Sequence, residues 1–142
     1  MADVTPQTGH SDCTTKGIRV QVAATYLPEH SDPSLGRYHF AYRVLLKNVG
    51  HRIATLRSRR WVIRNADNEE HVVEGPGVIG EYPRLAPNEQ YDYVSGCPMD
   101  TSWGTMEGHF IWEYEDGTFF QTKIERFFLA PNTAPIPDLE YS

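Results

Sequence analysis

Hydrophobic and polar side chains alternate along much of the chain with a period of two residues. The alternation is clearest between Tyr38 and Leu46, where every second position is aromatic or aliphatic. This period is typical of a β-strand that has one face in a core and the other in solvent. No segment of the sequence carries a sustained apolar stripe with the 3.6-residue period of a helix, so the pattern predicts a protein made of strands.

About seven such strands are predicted, separated by short turn-forming segments. Asp116 and Gly117 lie between two alternating runs, which is a strong signal for a hairpin. Strands at short spacing in a chain of 142 residues are typical of a single all-β domain, here an antiparallel β-sandwich. The predicted strands cover residues 18–24, 38–46, 56–64, 71–74, the segment around Tyr91 and Tyr93 up to Ser95 and Gly96, 106–114 and 118–129.

The domain itself is expected to cover residues 17–131. Residues 1–16 are small and polar without periodicity, and we interpret them as a disordered or loosely attached arm. Residues 132–142 include Pro135 and Pro137 and are expected to form an irregular tail.

Composition and charge exclude several classes of function. The net charge of −6 argues against broad electrostatic binding to nucleic acid or to anionic membranes. The chain opens without the features of a signal peptide, and no apolar run approaches the roughly 20 residues of a membrane span. Cys13 and Cys97 are far apart, and we expect two reduced thiols, although a disulfide between them is possible in principle. These features predict a cytoplasmic protein with no membrane span.

A glycine-rich segment is the most conspicuous local motif, because Gly75, Gly77 and Gly80 match the spacing G-x-G-x-x-G. In dinucleotide-binding folds this motif opens a helix whose N-terminal amides meet the pyrophosphate. Pro83 and Pro87 follow here, so no helix can form and that fold is disfavoured. Two interpretations stay open. The glycines either form a tight loop at positive φ, which we favour, or build a nest of amides for a phosphate.

Arg57, Arg59 and Trp61 alternate along one predicted strand and form a basic patch with an aromatic neighbour. Strict alternation places these three side chains on one face of a strand, where a guanidinium can stack on an aromatic ring or pair with a carboxylate. The patch is therefore a candidate site for an anion or for a partner protein. The alternative is that Trp61 belongs to the core.

Catalytic and metal-binding signals are weak. No local sequence indicates a Ser-His-Asp triad or a Cys-His pair, and we predict a protein that is not an enzyme and that uses no cofactor. Glu107, His109 and Glu113 share a strand face and form the one candidate set of metal ligands. Solvated surface residues are the interpretation we favour for them, so no metal site is predicted.

Several segments together resemble the ApaG family. The resemblance covers roughly residues 18–131, and it is specific as a combination although no single motif is. The segments that carry it are residues 59–63 (RRWVI), 77–83 (GVIGEYP), 86–89 (APNE), 91–96 (YDYVSG) and 104–108 (GTMEG).

The resemblance implies a fibronectin type III-like, immunoglobulin-like β-sandwich and a bacterial cytoplasmic protein. It also implies a genetic link to Co²⁺ and Mg²⁺ efflux and resistance. Related eukaryotic domains are joined to an F-box protein and to a DNA-polymerase-delta-interacting protein, which suggests partner binding. The glycine loop of the family has been likened to a pyrophosphate-binding motif, which would correspond here to Gly75, Gly77 and Gly80.

Two hypotheses about function follow. The first is a non-enzymatic module that binds a protein partner through Arg57, Arg59 and Trp61. The second is a sensor of a divalent cation, or of a phosphorylated nucleotide or pyrophosphate, through the loop 75–80. Because a sandwich has exposed strand edges, a dimer formed through those edges is also possible.

Overall fold

Two antiparallel β-sheets pack face to face in the computed structural model, which describes residues 9–131. The first sheet has the strand order β1-β2-β3-β7, and the second has the order β5-β4-β8-β9, with the short β6 also paired to β4. The strands are β1 (His10–Thr15), β2 (Ile18–Tyr26), β3 (Tyr38–Asn48), β4 (Ala54–Asn65), β5 (Glu70–Pro76), β6 (Arg84–Leu85), β7 (Gln90–Met99), β8 (Gly104–Tyr114) and β9 (Phe119–Leu129). Two single-turn 3₁₀ helices, Pro28–His30 and Pro33–Leu35, lie between β2 and β3.

The core lies between the two sheets and is rich in aromatic rings. Trp61 of β4 meets Phe110 of β8 and Phe127 of β9 edge to face, with ring centroids 6.3 Å and 6.0 Å away. The indole N–H of Trp112 donates a hydrogen bond to the Thr122 hydroxyl at 3.0 Å, which satisfies this buried donor. The seven strands predicted from alternation are all present, and the predicted fibronectin type III-like sandwich is confirmed.

Two strands were missed by the pattern of alternation. Residues 10–15, which sequence analysis placed in a loosely attached arm, form β1 and pair with β2 from His10 opposite Ala23 to Thr15 opposite Ile18. An edge strand of polar residues carries little periodicity, because only Ser11 is buried. The two-residue β6 is too short to show a hydrophobic period. The strand predicted to end at Gly96 continues in the structure as β7 to Met99. Residues 1–8 and the predicted tail 132–142 lie outside the described residues.

A β-bulge in β4 changes which side chains face the core. The pairing of β4 with β8 shifts between Leu56 and Ser58, so Arg57 is an extra residue in the strand. Leu56 is buried before the bulge and Trp61 is buried after it, at an odd sequence separation. The prediction that Arg57 and Arg59 share one face was therefore wrong, since it assumed unbroken alternation.

The two long sides of the sandwich differ. On one side β1 lies against β9, and the Lys123 N–H donates a hydrogen bond to the Thr15 hydroxyl at 3.2 Å. On the other side the edge of the first sheet is β7 and the edge of the second is β5. These two edges remain apart and leave a groove between the sheets.

The register of β7 against β3 shows which backbone groups of β7 point to the free edge. Pro98, which has no N–H, lies opposite His39. The His39 carbonyl accepts a hydrogen bond from the Leu27 N–H on the other side of β3, so His39 and Pro98 are a non-hydrogen-bonded pair. Since antiparallel partners alternate between bonded and non-bonded pairs, the even-numbered residues of β7 direct their backbone groups to the free edge. The N–H groups of Asp92, Val94 and Gly96 are therefore available for another strand.

Candidate functional site

The groove between β5 and β7 encloses about 680 Å³ and is the candidate functional site. Its floor consists of apolar side chains from β3, β4, β5, β7 and β8, and its rim carries charged and polar groups. The apolar lining residues are Tyr42, Trp61, Ile63, Val73, Met99 and Met106.

Arg59 lies at one end of the groove in a fixed position. Its Nη1 donates hydrogen bonds to the backbone carbonyls of Pro76 and Gly77, both at 2.9 Å. The guanidinium lies directly over Gly75, where a Cβ atom would come within 3.1 Å of both terminal nitrogens. The absence of a side chain at Gly75 thus makes room for Arg59, and the Nη2 and Nε donors remain unpaired within residues 9–131.

The charge of Arg59 is not balanced by a carboxylate. Arg37 and Arg59 are the two arginines in the described range with no carboxylate oxygen within 4.0 Å, and both line the groove. The arginines that do form such ion pairs, at 2.7–3.1 Å, are Arg19, Arg43, Arg52, Arg57, Arg60, Arg64, Arg84 and Arg126.

Two tyrosines stand close to Arg59. Burial raises the pKa of the Tyr42 phenol, an effect that the neighbouring Ser95 and Arg59 partly oppose. Burial likewise raises the pKa of Tyr93, whose enclosed hydroxyl makes no hydrogen bond with residues 9–131. Both phenols are therefore protonated at neutral pH, and each carries an O–H group that can donate a hydrogen bond.

The opposite end of the groove is polar and internally bonded. The Asn65 side-chain amide donates to Glu69 at 2.6 Å and to Asp100 at 3.1 Å. Arg64 pairs with Glu70 at 2.8 Å. Arg37 also lies at this end, since its neighbour Tyr38 pairs with Met99. The groove carboxylates Glu69, Glu70 and Asp100 thus gather at this end together with Arg37, whereas Arg59 at the other end has no carboxylate beside it.

The glycine loop next to Arg59 forms a tight turn. The N–H of Val78 donates to the Glu81 carbonyl at 2.9 Å, and the N–H of Glu81 donates back to Val78 at 2.8 Å. Gly77 and Gly80 adopt φ of +60° and +79°, which side chains disfavour. The Gly77 N–H is bonded to the Arg57 carbonyl at 2.8 Å, so the amides of Ile79 and Gly80 are those left without a partner among the described residues.

The structure separates some of the residues that sequence analysis grouped and joins others. Arg57 pairs with Glu113 at 2.8 Å on the outer face of its sheet, and Trp61 is only 2% exposed. Arg59, by contrast, meets Gly75 and Gly77 at the end of the groove. Arg59 and Trp61, two of the three members of the basic patch, and Gly75 and Gly77, two of the three loop glycines, thus belong to one site.

Arg37, Tyr42 and Ser95 were not predicted from the sequence as groove residues, and Tyr93 was not predicted as a neighbour of Arg59. Alternation placed the two tyrosines only in a core, and nothing in the sequence shows which arginines lack a carboxylate partner. The contact between Arg59 and Gly75 was also invisible, because it depends on β5 returning next to β4 in the observed register.

The candidate metal ligands are paired with arginines, and the buried thiol of Cys97 is protonated. Glu107 and Glu113 pair with Arg126 and Arg57, and no cluster of three or more His, Cys, Asp and Glu residues that could hold a metal ion occurs within residues 9–131. Burial raises the pKa of the Cys97 thiol to about 11, which keeps it protonated. Over the same range no helix is long and apolar enough to cross a membrane.

The paired sheets and their topology define the class of this protein as a fibronectin type III-like β-sandwich domain. A sequence model of the ApaG domain matches residues 28–114. The chain is 43% identical over 113 residues to Protein ApaG of Vibrio cholerae serotype O1, covering 80% of this chain and 90% of that protein. It is 47% identical over 113 residues to Protein ApaG of Thiobacillus denitrificans, covering 80% and 89%.

A solved structure agrees with these sequence relatives. The crystal structure of the ApaA protein from Bordetella pertussis superposes with a TM-score of 0.78 at 39% identity, covering 88% of this chain and 97% of that one. The chain belongs to the ApaG family.

Proposed function

We propose that this protein is a non-enzymatic binding module that holds an extended segment of a partner protein in the groove between β5 and β7. The observation that carries the proposal is the combination of an apolar floor with a free strand edge and two unbalanced arginines in one groove. An apolar floor can take hydrophobic side chains, and unpaired backbone donors can hold a peptide main chain.

The edge of β7 is suited to the addition of a strand. The N–H groups of Asp92, Val94 and Gly96 face away from β3, so a partner strand can pair with them without breaking an existing bond. Val94 is 55% exposed, which leaves access to the edge open. In this mode the main-chain hydrogen bonds supply affinity, and the side chains that enter the groove supply specificity.

Replacing Val94 with proline tests this mode of binding. The substitution removes one edge-facing N–H and leaves the ladder to β3 intact, so the fold is expected to keep its melting temperature within a few degrees. We expect peptides selected from a random nonapeptide display library on the unchanged protein to bind the V94P variant at least tenfold more weakly, as measured by fluorescence anisotropy.

The matched control is Val94→Thr, which keeps the N–H and the β-branched shape and is expected to bind as the unchanged protein does. Equal affinity of V94P and V94T would contradict binding at this edge. A second copy of the chain is the competing occupant of the same edge, and concentration-dependent sedimentation of the unliganded protein would favour it.

A sensor of divalent cations or of phosphorylated nucleotides is the second candidate. It is supported by the amides of Ile79 and Gly80, which have no partner among residues 9–131, and by the open space around Gly80. The link to Co²⁺ and Mg²⁺ efflux, implied by the family resemblance, makes these ions relevant. A thermal-shift series with Co²⁺, Mg²⁺, ATP, diadenosine tetraphosphate and pyrophosphate tests it, because a ligand at 100 times its Kd stabilises by about 2.7 kcal/mol. A saturable shift that a folded Gly80→Ala variant loses would favour the sensor.

A further inference from the structure

We propose that the Arg59 end of the groove is a carboxylate subsite, so that the bound segment carries an aspartate or glutamate side chain that pairs with Arg59. This inference rests on the proposed function and specifies its ligand. Three features support it: the unbalanced charge of Arg59, its fixed position, and the spare hydroxyl donor beside it.

Arg59 is positioned before any ligand arrives. Its Nη1 is held by the carbonyls of Pro76 and Gly77, and Gly75 provides the space that the guanidinium occupies. The Nη2 and Nε donors remain, and a guanidinium edge with two parallel N–H groups matches the geometry of a carboxylate. Because the side chain is already ordered, binding loses little further rotamer entropy.

A hydroxyl pair supplies another donor at the same end. Tyr42 and Ser95 lie opposite each other on β3 and β7, and both line the groove. Two hydroxyls carry two O–H groups, and a hydrogen bond between them can use only one, which leaves at least one O–H for an incoming oxygen. The subsite thus offers guanidinium and hydroxyl donors.

The charge distribution favours one carboxylate in one orientation. At the opposite end of the groove the carboxylates Glu69, Glu70 and Asp100 outnumber the guanidinium groups of Arg37 and Arg64, so an acidic side chain is less favoured there than at Arg59. A single guanidinium balances a single negative charge, and the whole chain carries a net charge of −6, which disfavours a dianionic phosphate. Arg59 and Asn65 are six positions apart on β4, about 20 Å, so a nonapeptide spans the groove.

A double-mutant cycle between protein and peptide tests the subsite. Random nonapeptides are selected on the unchanged protein, and we expect the enriched sequences to contain an excess of aspartate or glutamate at one position. The most enriched peptide is synthesised with its acidic residue and with glutamine or asparagine in its place. We expect the amide peptide to bind the unchanged protein at least tenfold more weakly than the acidic peptide does. We expect the two peptides to bind the Arg59→Gln variant with equal affinity.

Arg57→Gln is the matched control, because Arg57 lies two positions away on β4 and pairs with Glu113 on the outer face. The tenfold preference for the acidic peptide is expected to persist in this variant. If R59Q does not fold, Arg59→Lys replaces it, with a reduced but measurable preference expected. The change in the peptide leaves the protein intact, so the test does not depend on one variant.

The outcomes separate the two proposals. One outcome is that peptides bind the unchanged protein and lose affinity for the V94P variant, but show no preference for an acidic residue or keep that preference in the R59Q variant. This outcome would overturn the subsite and leave the proposed function standing. Absence of any enriched peptide would overturn both. Tighter binding of a phosphoserine copy than of the acidic peptide would overturn the assignment to a carboxylate.

Discussion

Replacing Trp61 with alanine is expected to lower the free energy of unfolding by roughly 3–5 kcal/mol, which is typical of a buried tryptophan. Trp61 is 2% exposed, and its ring contacts Tyr42, Phe110 and Phe127 with centroid distances between 5.2 and 6.3 Å. Removal of the indole leaves a cavity where both sheets meet, since β4, β8 and β9 belong to one sheet and β3 to the other.

Urea denaturation followed by circular dichroism measures this loss. Trp103 provides a matched control, because it is 38% exposed and contacts Phe128 at a centroid distance of 6.3 Å. The same change at Trp103 is expected to lower the free energy of unfolding by about 1 kcal/mol or less. Similar small losses of unfolding free energy for both variants would contradict a core position of Trp61 and would favour a position on the surface.

Gly77→Ala is expected to destabilise the fold by roughly 3 kcal/mol, whereas Gly80→Ala is expected to cost about 1 kcal/mol. Both residues have positive φ, so alanine is strained at either position. At Gly77 the added Cβ would also overlap the carbonyl oxygen of Glu81, whereas at Gly80 no atom lies within 4 Å. The difference between the two variants therefore isolates the steric requirement of the turn.

Thermal and urea unfolding of both variants give these values directly. Equal losses at the two positions would contradict the turn geometry, since backbone strain alone would then account for both. The pair also serves the sensor hypothesis, because Gly80→Ala is expected to remain folded and can be tested for loss of ligand response.

The fold was largely predictable from the sequence because one face of most strands is buried. From Tyr38 to Leu46 the alternation corresponds to β3, in which Phe40, Val44 and Leu46 are buried. Alternation failed where its physical basis is absent. The edge strand β1 buries almost nothing, and the bulge at Arg57 shifts the phase of β4 without any signal in the sequence.

The candidate site was only partly predictable, because its defining property is a set of missing partners. The sequence shows Arg59 and the glycines 75 and 77 as separate motifs, and the pairing of β4 with β5 brings them together. Whether an arginine has a carboxylate beside it depends on tertiary contacts such as that between Arg57 and Glu113, which are 56 positions apart. The polarity of the groove could not be read before the fold was known.

Hydrogen exchange at the edge of β7 shows whether a peptide pairs with this strand. The amides of Asp92, Val94 and Gly96 are compared with those of Tyr93 and Ser95 by NMR, with and without a saturating amount of the most enriched nonapeptide. We expect exchange at the three edge amides to slow at least tenfold on binding, because they gain hydrogen bonds to the peptide. The two other amides already pair with β3 and are expected to change less. Unchanged exchange at Asp92, Val94 and Gly96 in the peptide-saturated protein would contradict binding at this edge.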